Sequence, residues 1–270
     1  MPRIEVNGIQ IYYEEHGWDK EGAEVLVLSN GVLMSTASWA FQTPVLSRHY
    51  RLLLYDCRGM WQSEHPPGPY SMELHADDLA ALLEALGVKE AHIGGISYGA
   101  EISLVFALKY PQKARSLILS SAVSQVDALL QGLMESWVAA TRARDAEMLF
   151  QVTYPLNFSE AWIAANPAAL DAARERYKTL DLDAFLELLL SFCRLDVTAE
   201  LQKIAVPALV IVGEEDILKP RKYAEIIARE IPHAEFAIVP HAGHAVLWEQ
   251  AGLFNSLILG FLAKQGRQGG

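Results

Sequence analysis

No stretch of this chain limits its possible folds more than Gly94-Gly95-Ile96-Ser97-Tyr98-Gly99-Ala100. An apolar run, Ala91 to Ile93, leads into it, and apolar residues at helical spacing, Ile102, Leu104, Val105 and Leu108, follow it. The pattern reads as a strand, a sharp turn and a helix. A Gly-x-Ser-x-Gly turn forces its serine into a strained backbone conformation, and the flanking glycines admit neighbouring backbone where a Cβ would collide. The hydroxyl is then held out at the strand tip, beside the first free N–H groups of the helix, which can stabilise negative charge. Ser97 is therefore a candidate nucleophile. The alternative is a glycine-rich turn that merely contains a serine, and the position between strand and helix weighs against it.

Around this turn the chain alternates short apolar runs with helical spacings. Asn7-Gly8 between Ile4–Val6 and Ile9–Tyr13 predicts a tight antiparallel hairpin. Val25–Leu28, Arg51–Tyr55, Ala91–Gly94, Ser116–Ser120, Ala208–Val212 and Glu235–Val239 read as further strands, several of them apolar enough for burial on both faces. Helices are expected from about Trp39 to Leu46, after a Ser71 cap as far as Gly87, from about Arg221 to Glu230, and finally through Leu259. Between Val123 and Glu200 the strand-like runs disappear and roughly three or four helical segments take their place. The clearest carries Phe185, Leu188, Leu189 and Phe192 on one face.

This alternation predicts an α/β fold, a mainly parallel sheet with helices on both faces, and places its active groups at the carboxyl ends of the strands. The expected division is a core of residues 1–122 and 201–270 with an inserted helical cap, residues 123–200. Trp137, Phe150, Tyr154, Phe158 and Trp162 supply large apolar surface in the insertion and are read as holding it to the core rather than as binding groups. The tail from Gln265 to Gly270 is expected to fray.

A serine hydroxyl needs a base within hydrogen-bond reach and a third group to orient that base. Asp216 follows the strand Ala208–Val212 in Gly213-Glu214-Glu215-Asp216, and His244 follows the strand Glu235–Val239 in His241-Ala242-Gly243-His244. Ser97, Asp216 and His244 are thus the candidate catalytic residues, with Glu214 and Glu215 as rival acids and His241 as rival base. The N–H groups of Tyr98, next after the nucleophile, and of Val32, in the tip Asn30-Gly31-Val32, are the candidate donors to an oxyanion.

Bulk properties exclude several other classes. The 51% hydrophobic content of the 270 residues argues against wholesale disorder. A net charge of -11, with no lysine or arginine cluster, makes nucleic acid and anionic membrane poor partners. The start, Met1 to Asn7, lacks the apolar core of a signal peptide, and no apolar run is long enough for a bilayer, so a cytoplasmic protein is expected. The two cysteines, Cys57 and Cys193, have no metal or redox spacing, and His241 and His244 have no third ligand nearby in the chain. Neither a metal nor a cofactor is expected.

These motifs together resemble the α/β-hydrolase superfamily, in its compact form with a helical cap after the sixth strand. The resemblance covers essentially the whole chain: Asn30-Gly31-Val32 in the oxyanion position, Asp56-Cys57-Arg58-Gly59, the elbow Gly95-Ile96-Ser97-Tyr98-Gly99, Gly213-Glu214-Glu215-Asp216, and Gly243-His244 with Glu249 following. It implies an eight-stranded sheet and hydrolysis of a small carboxylic ester or lactone through an acyl-enzyme on Ser97. Ser29-Asn30-Gly31 and Pro67-Gly68-Pro69-Tyr70-Ser71 are similar to 3-oxoadipate enol-lactonases. Serine at the nucleophile position departs from haloalkane dehalogenases and epoxide hydrolases, which carry aspartate there. Two further departures, Trp61 where relatives have glycine and Tyr98 after the nucleophile, mark positions that could narrow an acyl pocket, with Asn30 and Trp61 as possible pocket residues. The alternatives are carbon-carbon, amide or thioester hydrolysis by the same residues, and a ligand-binding or signalling protein on the same scaffold.

Overall fold

The structure, a computed structural model, describes residues 2–266. Asn7 and Gly8, with φ of 49° and 77°, turn β1 (Arg3–Val6) back onto β2 (Ile9–His16), so that Val6 pairs with Ile9. The wholly buried β3 (Val25–Ser29) follows. The helix expected over Trp39 to Leu46 is instead a 3₁₀ turn, Thr36–Trp39, and a short α1 (Thr43–Leu46). Pro44 has no N–H with which to continue a ladder from upstream, so the second helix starts afresh around it.

After β4 (Arg51–Tyr55) comes α2 (Met72–Ala85), whose first turn is capped by Ser71 Oγ accepting from the Leu74 N–H at 3.1 Å. Then β5 (Ala91–Ile96) enters α3 (Tyr98–Lys109) through the elbow, and β6 (Ala114–Ser120) follows. Five helices succeed β6: α4 (Ala128–Arg142), α5 (Ala146–Asn157), α6 (Glu160–Ala165), α7 (Pro167–Tyr177) and α8 (Leu182–Phe192). That is one more than the expected upper count, because Asn166-Pro167 divides what would otherwise read as one segment. The remainder is β7 (Ala208–Gly213), α9 (Arg221–Glu230), β8 (Glu235–Val239), α10 (Val246–Glu249) and α11 (Ala251–Gln265). The last helix therefore continues past Leu259 as far as Gln265, and residues 267–270 of the expected frayed tail lie outside the described residues.

The sheet has eight strands in the order β1-β2-β4-β3-β5-β6-β7-β8. Only the β1–β2 and β2–β4 pairs are antiparallel. Side chains alternate across it: Val27, Leu53, Ile93 and Leu119 pack under α2 and α3, while Leu26, Leu28, Leu52 and Leu54 pack against Phe254, Ile258 and Phe261 of α11. Two apolar layers on one parallel sheet are why the strands read as continuous apolar runs. Burying each such side chain contributes about 1.5–3 kcal/mol, which holds the carboxyl ends of β3, β5, β7 and β8 at one rim. Among the described residues, no helix is long and apolar enough to cross a membrane.

Candidate active site

Ser97 stands between β5 and α3 with φ 54° and ψ −122°, the strained conformation expected of the elbow. The close approach that imposes it is visible at Gly99, where a Cβ would overlap the Ser29 carbonyl, and at Gly95, where it would overlap backbone of Gly99. Glycine at both positions lets the first turn of α3 sit directly against the end of β3.

The rim of the sheet brings the expected acid and base together. His244 Nδ1 lies 2.8 Å from Asp216 Oδ2, and both side chains are buried. The other Asp216 oxygen accepts from the Lys219 backbone N–H at 2.8 Å, and Ser121 Oγ donates to the His244 carbonyl at 3.1 Å. The rivals differ in geometry: Glu214 and Glu215 are exposed, and the His241 side chain is 82% exposed with its Nδ1 4.0 Å from Glu215 Oε1.

Ser97 and His244 both line a single cavity of about 700 Å³. They are not hydrogen-bonded to each other among the described residues; the partner of Ser97 Oγ is instead Lys219 Nζ at 3.1 Å. Lys219 Nζ in turn lies 2.9 Å from each carboxylate oxygen of Glu101. Burial pushes the Glu101 carboxyl above its ordinary range, while Lys219 and the Val123 N–H, donating at 2.9 Å, favour the ionised form. Neither Lys219 nor Glu101 stood out in the sequence. Their spacing was the available signal, since Glu101 is one helical turn after Ser97 and Lys219 closely follows Asp216.

Tyr98 is the first residue of α3, where N–H groups have no intrahelical acceptor, and Val32 sits in a turn closed by Met34 N–H to Gly31 O at 2.9 Å. Both residues line the cavity. The Tyr98 ring points away to the core, with its hydroxyl 2.8 Å from His75 Nε2.

Of the two possible pocket residues, Trp61 lines the cavity and Asn30 does not. Asn30 is wholly buried, donating to Asp56 Oδ1 at 2.9 Å and accepting from Trp39 Nε1 at 2.8 Å, so both ends of its amide are committed to fixing the β3 tip. Trp61 has φ 43°, a left-handed conformation uncommon for a bulky residue. Its ring carries the Arg176 guanidinium, 3.7 Å from the ring centre, and Arg176 also donates to Ser35 Oγ at 2.8 Å. Among the described residues no carboxylate lies within 4 Å of that guanidinium, and burial draws its pKa below the ordinary value.

The helices between β6 and β7 supply more of the wall. Trp137, Phe150, Tyr154, Phe158 and Trp162 all face the cavity, which corrects their reading as mere packing surface. Phe158 stacks on Trp162 at 4.1 Å and on Trp248 at 5.9 Å. Helices laid over the rim leave their apolar faces toward the enclosed space, so residues that hold those helices to the sheet also line it.

Cys57 is buried, Cys193 is half-buried, and both are free thiols. Among the described residues no group of three histidine, cysteine, aspartate or glutamate side chains could hold a metal ion.

Comparison with known proteins identifies the fold family. A family model described as the alpha/beta hydrolase fold matches residues 24–251. A protein named as a carbamate hydrolase, RutD of Stutzerimonas stutzeri, is 34% identical, covering 94% of this chain and 97% of its own. The enol-lactonase of Burkholderia xenovorans superposes with a TM-score of 0.92 at 26% identity, over 97% of this chain and 100% of its own. A thermophilic esterase of Thermogutta terrifontis, solved with malate bound, superposes with a TM-score of 0.89 at 26% identity, over 99% of this chain and 100% of its own. The eight-stranded sheet, the elbow at Ser97 and the family match have one explanation: this chain is a member of the α/β-hydrolase family.

Proposed function

We propose that this chain is a serine hydrolase that cleaves a small carboxylic ester or lactone through an acyl-enzyme on Ser97. The observation that carries this reading is the buried His244–Asp216 pair, 2.8 Å apart, opening onto the same cavity as a serine held at φ 54°. With Nδ1–H directed at Asp216, the imidazole presents Nε2 as the base. As Ser97 Oγ bonds to the substrate carbonyl carbon, its proton passes to Nε2, and the carbonyl oxygen takes the electron pair between the N–H groups of Val32 and Tyr98. Collapse expels the alcohol oxygen, protonated by His244, and water then repeats the sequence on the acyl-enzyme. A lactone leaves its alcohol tethered to the acyl group, so one product results. Apo sites commonly hold nucleophile and base out of hydrogen-bond alignment, and the contact tightens when substrate is bound.

In this reading residues 123–200 act as a cap on a core of 1–122 and 201–270, and the apolar cavity beneath excludes water from the acyl transfer. Arg176, cationic and with no carboxylate within 4 Å among the described residues, favours a substrate that carries an anionic group away from the scissile bond. The carbamate-hydrolase name of the Stutzerimonas relative supports a second reading, in which the same attack is made on a carbamate carbonyl.

The test is a panel of short-chain aryl esters, enol-lactones and carbamates with the native chain and Ser97→Ala, together with labelling by a serine-directed phosphonate. Turnover and labelling lost in Ser97→Ala are expected. A native chain that turns over none of the panel and takes no label would leave the scaffold as a ligand-binding protein.

A further inference from the structure

Ser97 Oγ rests against a cation. Lys219 is 4% exposed and Glu101 is fully buried, yet they form an ion pair directly beneath the nucleophile. Taking two charges out of water is costly, and replacing a buried pair with apolar residues is often neutral or stabilising, so stability alone is a weak reason for one here. The geometry supplies another reason. An ammonium has three N–H donors, and those of Lys219 have three acceptors in reach: the two Glu101 oxygens at 2.9 Å each and Ser97 Oγ at 3.1 Å. The Phe192 ring closes the remaining side, 4.6 Å from Nζ. The same residue holds the acid of the pair through its backbone, Lys219 N–H to Asp216 Oδ1 at 2.8 Å.

We propose that Lys219 is a further catalytic residue, a cation held by Glu101 that stabilises the charge on Ser97 Oγ whenever that oxygen is the attacking or the leaving atom. This rests on the reading of Ser97 as the nucleophile. In acylation the Oγ–carbon bond forms while the Oγ proton moves to His244 Nε2, and Oγ passes through alkoxide character. In deacylation water adds to the acyl carbon, the Oγ–carbon bond breaks, and the electron pair returns to Oγ before His244 gives back the proton. Lys219 donates a hydrogen bond to Oγ in both steps, while the two Glu101 oxygens accept from its other N–H groups and His244 takes the Ser97 proton. Lys219 is therefore not the base. It adds to the oxyanion donors, which serve the other oxygen of the tetrahedral intermediate.

The experiment compares the native chain with the neutral pair Lys219→Met/Glu101→Gln, which leaves no buried charge unpartnered. The readouts are the melting temperature, the rate of Ser97 labelling by an aryl phosphonate, and kcat and KM on a short-chain aryl ester. The expected result is a folded variant whose labelling rate and kcat fall about 100-fold, the loss typical of one donor to developing charge, with KM little changed. A folded variant labelled at the native rate overturns the proposal and leaves the pair structural. Should the double variant not fold, Lys219→Ala assayed with added ethylammonium decides: recovery of labelling by ethylammonium but not by tetramethylammonium, which has no N–H, supports the role, and equal recovery or none overturns it. A native chain that takes no label at Ser97 sinks the hydrolase reading itself, whereas equal labelling of native and double variant sinks only the role of Lys219.

Discussion

Glu249 accepts from the Ser159 backbone N–H at 3.2 Å and from the Gly243 N–H at 3.1 Å, so one carboxylate ties the first turn of α6 to the loop that carries His244. Ser159 Oγ donates to it as well. Helix α6 and the His244 loop are thereby held in one register.

Removing that carboxylate should loosen both. Hydrogen bonds to a charged group are worth about 1.5–3 kcal/mol each, less where solvent reaches them, so Glu249→Ala should cost about 2 kcal/mol. For a chain of this size that is a fall in melting temperature of about 4–8 °C. Ester turnover should fall with it, and calorimetry beside an aryl-ester assay reads both. Unchanged values would mean the Ser159 and Gly243 loops are held by other contacts.

Asp216 differs from its neighbours in facing the imidazole. Asp216→Asn should lower kcat by about 10⁴-fold, as loss of the orienting carboxylate does in a Ser-His-Asp enzyme, with little change in melting temperature. Glu214→Gln, Glu215→Gln and His241→Ala should each stay near the native rate, because those side chains are exposed. A large loss in any of the three, with Asp216→Asn active, would reassign the acid or the base.

Acid should weaken the fold through His75, which lies under the elbow against Tyr98. Burial, helped by the charge of Arg58, pulls this imidazole from 6.5 down to about 3. Its folded pKa is depressed, so the unfolded chain takes up a proton that the folded chain refuses. The stability it contributes is present above about 6.5 and is lost as pH falls from there toward about 3. Asp56 acts with the opposite sign: burial pushes it from 3.8 up to about 6, so its contribution is present below 3.8 and is lost as pH rises through about 6. Comparing native with His75→Phe removes the common Asp56 effect. Thermal melts at pH 7.5 and 4.5 should show the native chain losing more stability than the variant, and parallel losses would mean His75 takes its proton in the folded state.

Arg176 should sort substrates by charge. Losing one charge-assisted contact costs about 1.5–3 kcal/mol, so Arg176→Met should raise KM at least about tenfold for an aryl glutarate monoester, which carries a free carboxylate. The uncharged aryl valerate should be little affected. Trp61→Gly, which removes the ring under the guanidinium, should act in the same direction. Equal effects on both esters would make Arg176 a wall residue without selectivity.

Much of this architecture was legible in short stretches. Asn7-Gly8, Ser71 with Gly87, and the elbow each encode their own backbone geometry within a few residues, and all three form as read. Reading failed where local pattern and chain chemistry conflict: Pro44 splits the segment from Trp39 to Leu46, and Asn166-Pro167 splits the insertion, although apolar spacing alone suggests continuity across each. The insertion aromatics were legible as apolar surface but not as a cavity wall, because spacing reports which residues avoid water and not which of them enclose empty space.

By itself, then, the amino-acid order specified the strand and helix sequence, the strained turn at Ser97, and an acid and a histidine on later strand ends, since each depends on backbone preferences and periods spanning only a few positions. Only the tertiary structure placed Asp216, and not Glu214 or Glu215, against the His244 imidazole, brought Arg176 onto Trp61, and set Lys219 against both Ser97 and Glu101. Lys219 and Glu101 are 118 positions apart, and no local preference can encode such a meeting. It comes from packing strands and helices on one sheet, which decides what lies beneath Ser97.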